Sequence, residues 1–217
     1  MEIDDRAVLW SADPSDRADR PVLVLLHGYN SHEGDLFGLA PYLPLDPVIA
    51  SVRAPLNTGY GYAWFDLDPS SLVLDEAVAD EAADALLRWL ERAIPTSTPV
   101  GLLGFSQGAA MALELLRRAP ERISYVVNLA GFIVPGTRAG DARLAGRPAH
   151  VFWGRGAADP MIPGSWVADL GDWLSSHTVV DARVYEELGH SVSAAELGDV
   201  HAFITAQLTV GADGARR

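Results

Sequence analysis

Short runs of mostly apolar residues recur along the chain, each ended by a turn-forming residue. Val22 to Leu26 stops at His27-Gly28; Val48 to Val52 and Val100 to Phe105 follow. Tyr125 to Leu129, His150 to Trp153 and Arg183 to Tyr185 complete the set. Runs of this length, apolar on both faces, predict buried strands of a mainly parallel sheet. Between them the period changes. Val78, Ala82, Ala85, Leu86, Trp89, Leu90 and Ile94 recur at three and four, as one helical stripe does. Met111, Leu115 and Leu116 continue such a stripe after residue 106. Ser193 and Glu196 have the spacing of a capping box ahead of Leu197, Val200, Ile204 and Leu208. Strand and helix alternate over most of the chain, which predicts a three-layer α/β sandwich.

The 217 residues fit one domain, 1–217, with its core over about residues 22–208, and they contain no linker and no internal repeat. Residues 11–20 are polar and read as a surface turn, and 211–217 as a loose tail. Asn57 to Ser71 holds Tyr60, Tyr62, Trp64 and Phe65 among glycines without a period, the pattern of an ordered loop with aromatic contacts.

Composition narrows the chemistry. A 49% hydrophobic content supplies a core, and a net charge of −13 opposes binding to nucleic acid or to an anionic membrane surface. No cysteine is present, and all sixteen basic residues are arginine. Thiolate catalysis, Schiff-base chemistry and a Walker-type phosphate loop are thereby excluded. The acidic start, Met1 to Asp5, lacks the pattern of a signal peptide, and no apolar stretch is long enough to span a bilayer. A soluble cytoplasmic protein is expected, with no stable membrane insertion; a homodimer is compatible with this.

Gly104-Phe105-Ser106-Gln107-Gly108 follows the apolar run Val100–Leu103 and leads into the helix-forming Ala109 to Leu113. A G-x-S-x-G element between strand and helix has the context of a nucleophile elbow, which lifts a serine hydroxyl clear of the sheet edge above a helix N-terminus. A serine needs a base, and histidine is the side chain suited to that role near neutral pH. Of six histidines, His190 alone stands in a Gly-flanked loop between the last strand and the last helix. The acid should lie between Ser106 and His190 in a loop after a strand, a place that Asp159 fills. Asp141, Asp169, Asp172 and Asp181 are its rivals, and an Asx turn before Pro160 is the alternative reading of Asp159. Two backbone N–H groups should hold a tetrahedral oxyanion: that of Gln107, and one from His27 to Asn30, with Tyr29 the better candidate. No metal-ligand spacing is found.

Six motifs in order resemble the phospholipase/carboxylesterase family of α/β-hydrolases, which includes the acyl-protein thioesterases. They are Leu26-His27-Gly28, Trp64-Phe65-Asp66, Gly104 to Ala109, Leu129 to Phe132, Asp159 to Pro163 and Gly189 to Val192. The resemblance implies a serine hydrolase without a cofactor or a large cap domain. It implies cleavage of carboxylic esters or thioesters of small or medium acyl groups through an acyl-enzyme, with Ser106, Asp159 and His190 as triad. It also places Tyr29 and Gln107 at the oxyanion donors and Trp64, Phe65, Phe132, Met161 and Val192 at the substrate. Core packing is the alternative for Trp64. Asn30 replaces the family's frequent second glycine, and Asn tolerates the left-handed backbone. An acyltransferase with the same triad, or a non-catalytic receptor on the same fold, are the competing functions.

Overall fold

The computed structural model describes residues 1–67 and 74–214. Along these residues the elements run β1 (Val8–Trp10), β2 (Val22–Leu26), α1 (Glu33–Phe37), β3 (Val48–Val52), β4 (Leu56–Asn57), β5 (Tyr62–Ala63) and α2 (Asp80–Ala93). There follow β6 (Val100–Phe105), α3 (Gln107–Arg118), β7 (Tyr125–Leu129), α4 (Asp141–Gly146), β8 (Ala149–Gly156), α5 (Gly164–His177), β9 (Thr178–Tyr185) and α6 (Ala194–Gly214). Seven strands form one sheet in the order β1-β3-β2-β6-β7-β8-β9, and β4 and β5 form a separate hairpin. Only β1 runs antiparallel in the large sheet.

The strands are apolar throughout because both faces of the sheet are covered. In β2, Val22, Val24 and Leu26 join a core with Leu86 and Trp89 of α2, Met111 of α3 and Leu170 of α5. Leu23 and Leu25 point the other way, into a second core with Leu36 of α1 and Val200, Phe203 and Ile204 of α6. This period of two across one strand produces the three layers. The crossing order carries β2 and β6 to adjacent central places, so the turns after them meet at the same sheet edge.

All six apolar runs lie in strands, and several elements are absent from the pattern or longer than it predicts. β1 is a three-residue edge strand whose Val8 and Trp10 pair with Val52 and Ala50. α1 has only five residues. β9 extends five residues ahead of the expected Arg183–Tyr185, through Asp181; as an edge strand open to water it carries charge where a central strand would not. At the C-terminus the helical backbone continues to Gly214, into the segment expected to be a loose tail; residues 215–217 lie outside the described residues, as do 68–71 of the aromatic loop.

Ser193 caps α6, its hydroxyl oxygen accepting the Glu196 N–H at 3.1 Å. The Glu196 carboxylate faces back toward the Ser193 backbone N–H, as in a capping box. It is turned inward against Gly154 of β8, where a Cβ would meet Glu196 Oε1 at 2.2 Å, and its Oε2 is buried without a partner. Burial pushes this carboxyl up to about 7, with the Asp199 carboxylate adding to the rise. The folded chain therefore holds a proton that the unfolded chain has lost between about pH 4.5 and 7, so Glu196 makes stability fall as pH rises through that window. Glu196→Gln is expected to raise the melting temperature by several degrees at about pH 8 and to leave it nearly unchanged at about pH 5. Equal shifts at both pH values in calorimetry would count against this origin.

Candidate active site

The turn between β6 and α3 is packed too closely for side chains at its two glycines. A Cβ on Gly108 would lie 1.9 Å from the Leu26 carbonyl oxygen of β2, and one on Gly104 would lie 2.2 Å from the Gly108 carbonyl oxygen. Any side chain at either position would drive the start of α3 away from the sheet. Between them Ser106 takes φ 54° and ψ −118°, a conformation L-residues rarely adopt, with its N–H held by the Leu129 carbonyl at 2.9 Å. Gln107 is the first residue of α3, so its backbone N–H is one of the donors that a helix leaves without an internal acceptor.

His190 meets Ser106 here. The Ser106 hydroxyl lies 3.0 Å from His190 Nε2, and His190 Nδ1 lies 2.8 Å from Asp159 Oδ2. With the Nδ1 proton donated to the carboxylate, Nε2 is the free acceptor for the hydroxyl proton. The other Asp159 oxygen, Oδ1, accepts the backbone N–H groups of Met161 at 2.8 Å and Ile162 at 3.3 Å. The Asx turn and the histidine contact thus coexist on one carboxylate, and the turn fixes the angle at which Oδ2 faces the ring. The Phe105 ring packs against His190 at 4.9 Å between centroids.

The other residues weighed for these positions are engaged elsewhere. Asp141 pairs with Arg117, Asp181 with Arg183, and Asp169 and Asp172 lie on α5. His32 caps α1, His177 stacks on Trp173 and His201 contacts the Tyr42 carbonyl; His150 opens β8 at the far end of the sheet. His27 is fully buried, accepting the Ala54 N–H at Nε2 (3.0 Å) and facing the Gly28 carbonyl through Nδ1 (2.8 Å). Burial lowers its pKa, which keeps the ring neutral in that bridging role.

Above the serine is an open cavity of about 360 Å³. Phe132, Ile162, Pro163 and Trp166 form its apolar wall together with Met161. Tyr29 and Ser31 line it from the loop after β2, and Asp35 from the first turn of α1. Among the expected substrate contacts, Phe132 and Met161 thus line the cavity, and Trp64, Phe65 and Val192 do not. Trp64 is completely buried beneath the loop after β2, donating its indole N–H to the His27 carbonyl at 2.8 Å. Phe65 is buried and meets Phe132 edge-on, and Val192 packs into the core beside α6. Trp166 was not among the expected contacts, although it lies three residues beyond the Asp159–Pro163 motif.

A model of the phospholipase/carboxylesterase family matches residues 11–208. The chain belongs to that family. This phospholipase/carboxylesterase family member is thereby an ester hydrolase, and two curated relatives are acyl-protein thioesterases. One, from Eremothecium gossypii, is 28% identical over 85% of this chain and 87% of its own. The other, from Saccharomyces cerevisiae, is 29% identical over 68% of this chain and 69% of its own. The fold is that of the α/β-hydrolases. A Bacillus cereus carboxylesterase superposes with a TM-score of 0.77 at 21% identity, covering 92% of this chain and 93% of that one. Esterase PE8 superposes with 0.73 at 25% identity, covering 95% and 99%. Among the described residues no insertion builds a cap domain; α4, between β7 and β8, is six residues long.

Asn30 takes the left-handed conformation at φ 61°, with its side-chain oxygen held by the Thr58 hydroxyl, so the loop that lacks the second glycine keeps its shape through the neighbouring hairpin. One role was missed entirely. The Gln107 side chain, fully buried, accepts the Trp64 N–H at 2.9 Å and donates to the Phe65 carbonyl at 2.7 Å. It joins the residue after the serine to the segment that supports the loop after β2. Gln107→Ala leaves both backbone groups buried without partners and is expected to cost about 2 kcal/mol or more in urea unfolding. A change below about 0.5 kcal/mol, as for a typical surface substitution, would remove this clamp from the account.

Proposed function

We propose that Ser106, His190 and Asp159 form the catalytic triad of this hydrolase, which cleaves carboxylic esters and thioesters of small to medium acyl groups through an acyl-enzyme. The observation that carries the reading is the pair of hydrogen bonds from the serine hydroxyl to His190 Nε2 (3.0 Å) and from His190 Nδ1 to Asp159 (2.8 Å). Ser106 Oγ attacks the acyl carbon as its proton passes to Nε2. The resulting imidazolium is stabilised by the Asp159 carboxylate, and the negative oxygen is received by the Tyr29 and Gln107 N–H groups. Collapse of the tetrahedral adduct breaks the bond to the alcohol or thiol, which leaves with the proton from Nε2. Water then attacks the acyl-serine by the same route, and the carboxylic acid departs.

Two features support the substrate size. The cavity volume of about 360 Å³ stands near the lower end of the roughly 300–1,000 Å³ range of small-molecule sites. Its wall of Phe132, Ile162 and Trp166 suits a hydrocarbon chain. Thioester cleavage is supported by the relatives that are acyl-protein thioesterases. We propose water as the acceptor, and the whole described chain as one catalytic domain.

Ser106→Ala is expected to lower kcat for p-nitrophenyl esters by at least about a thousandfold and to abolish labelling by a fluorophosphonate probe, with unchanged thermal unfolding. Activity should peak at short to medium acyl lengths. Retained activity in the alanine variant would remove Ser106 from the mechanism, and ester products formed with added alcohol would identify an acyltransferase instead.

A further inference from the structure

The cavity above Ser106 has two chemically different sides. One is hydrocarbon and aromatic, from Phe132, Met161, Ile162 and Trp166. The other is the loop after β2 and the first turn of α1, where Asp35 lines the cavity. Among the described residues, Asp35 is the only carboxylate on the lining and no arginine lines it. Asp35 is exposed, and it accepts a hydrogen bond from a neutral group, the Ser31 hydroxyl, which donates to Oδ2 at 2.5 Å. The adjacent acid differs. Glu33 is engaged in a bidentate pair with Arg53. The chain as a whole carries a net charge of −13 and no lysine.

A cavity with one hydrocarbon wall and one unneutralised carboxylate sorts the two halves of an ester by chemistry. The hydrocarbon side takes the acyl chain, which leaves the alcohol or thiol beside Asp35. We propose that Asp35 makes the site selective for esters and thioesters whose leaving alcohol or thiol carries a positive charge, an ammonium or quaternary ammonium group. A leaving group bearing phosphate or carboxylate is disfavoured by the same charge. This rests on the reading of Ser106 as nucleophile. Asp35 acts here as a specificity residue and takes no part in bond making. Because it faces water, its effect is modest and falls with salt, as for any exposed charge within about a Debye length of its partner.

The test is a matched pair of substrates. Butyrylthiocholine and its uncharged isostere S-(3,3-dimethylbutyl) thiobutyrate differ only in nitrogen against carbon at the branched centre. Both release a thiol that can be titrated without background, since the protein has no cysteine. The readout is the ratio of kcat/KM for the cationic to the neutral substrate, in which any loss common to both cancels. At about 20 mM salt the ratio is expected to exceed about three in the wild type and to fall at least about threefold in Asp35→Asn, which keeps the size of the side chain and an acceptor for Ser31. At about 500 mM salt the two proteins should converge.

A ratio near one in the wild type overturns the proposal, with Asp35 then serving only the first turn of α1. A ratio that depends on salt but is the same in Asp35→Asn also overturns it, since the preference then belongs to the field of the whole acidic molecule. Failure of the underlying reading looks different: neither thioester is cleaved and Ser106 is not labelled by a fluorophosphonate.

Discussion

The start of α3 lies so near the central strands that its first turn touches the carbonyl end of β2, and only glycine fits on either side of Ser106. This close approach sets the rest of the site. It forces the serine backbone into the positive-φ region and turns its hydroxyl out at the carboxyl edge of the sheet. It aims the first free N–H of α3 at the same place. It also brings the Gln107 side chain within reach of Trp64 and Phe65, forty residues away along the chain, so the elbow and the loop after β2 are held by shared hydrogen bonds.

Buried polar groups hold the remaining pieces in register with that turn. Asn128, in the middle of an apolar strand, donates to the Ala109 carbonyl and accepts the Gly131 N–H, so it ties the first turn of α3 to the loop that brings Phe132 to the cavity. Further along that loop, the buried Arg117 guanidinium contacts Glu114 and Asp141 and donates to the Val134 and Gly136 carbonyls. A buried guanidinium with this many acceptors has its desolvation offset locally, and loss of any one partner leaves charge exposed to a medium of low polarity. His27 makes a similar bridge between the ends of β2 and β3 as a neutral ring. Glu196 is the exception, buried with one oxygen unpartnered, and its site favours the protonated acid.

The asymmetry of the cavity follows from which elements supply its sides. The apolar wall comes from the loops after β7 and β8 and the first turn of α5, where Phe132, Ile162 and Trp166 continue the hydrocarbon core out to the surface. The polar side comes from the turn into α1, a five-residue helix whose first turn is rich in acids because carboxylates there complement unpaired N–H groups. Helix-end electrostatics on one side and core continuation on the other thus produce a cleft suited to amphipathic esters.

Much of this was legible in the sequence, for reasons that differ by residue. The strand and helix pattern was readable because a sheet covered on both faces requires unbroken apolar runs, and a covering helix requires a stripe at three and four. Ser106 was readable because a tight strand–helix turn admits so few residue types. Asp159 and His190 were expected beside it from their order along the chain, and their segments carry family motifs. What the sequence could not display was side-chain direction. Trp64 and Phe65 face inward and Trp166 of α5 faces the cavity, and only packing decides between these outcomes for an aromatic residue. The Gln107 clamp and the inward turn of Glu196 both depend on contacts between segments far apart in the chain. Local patterns determine which elements form; which buried group finds a partner is decided only when those elements are packed together.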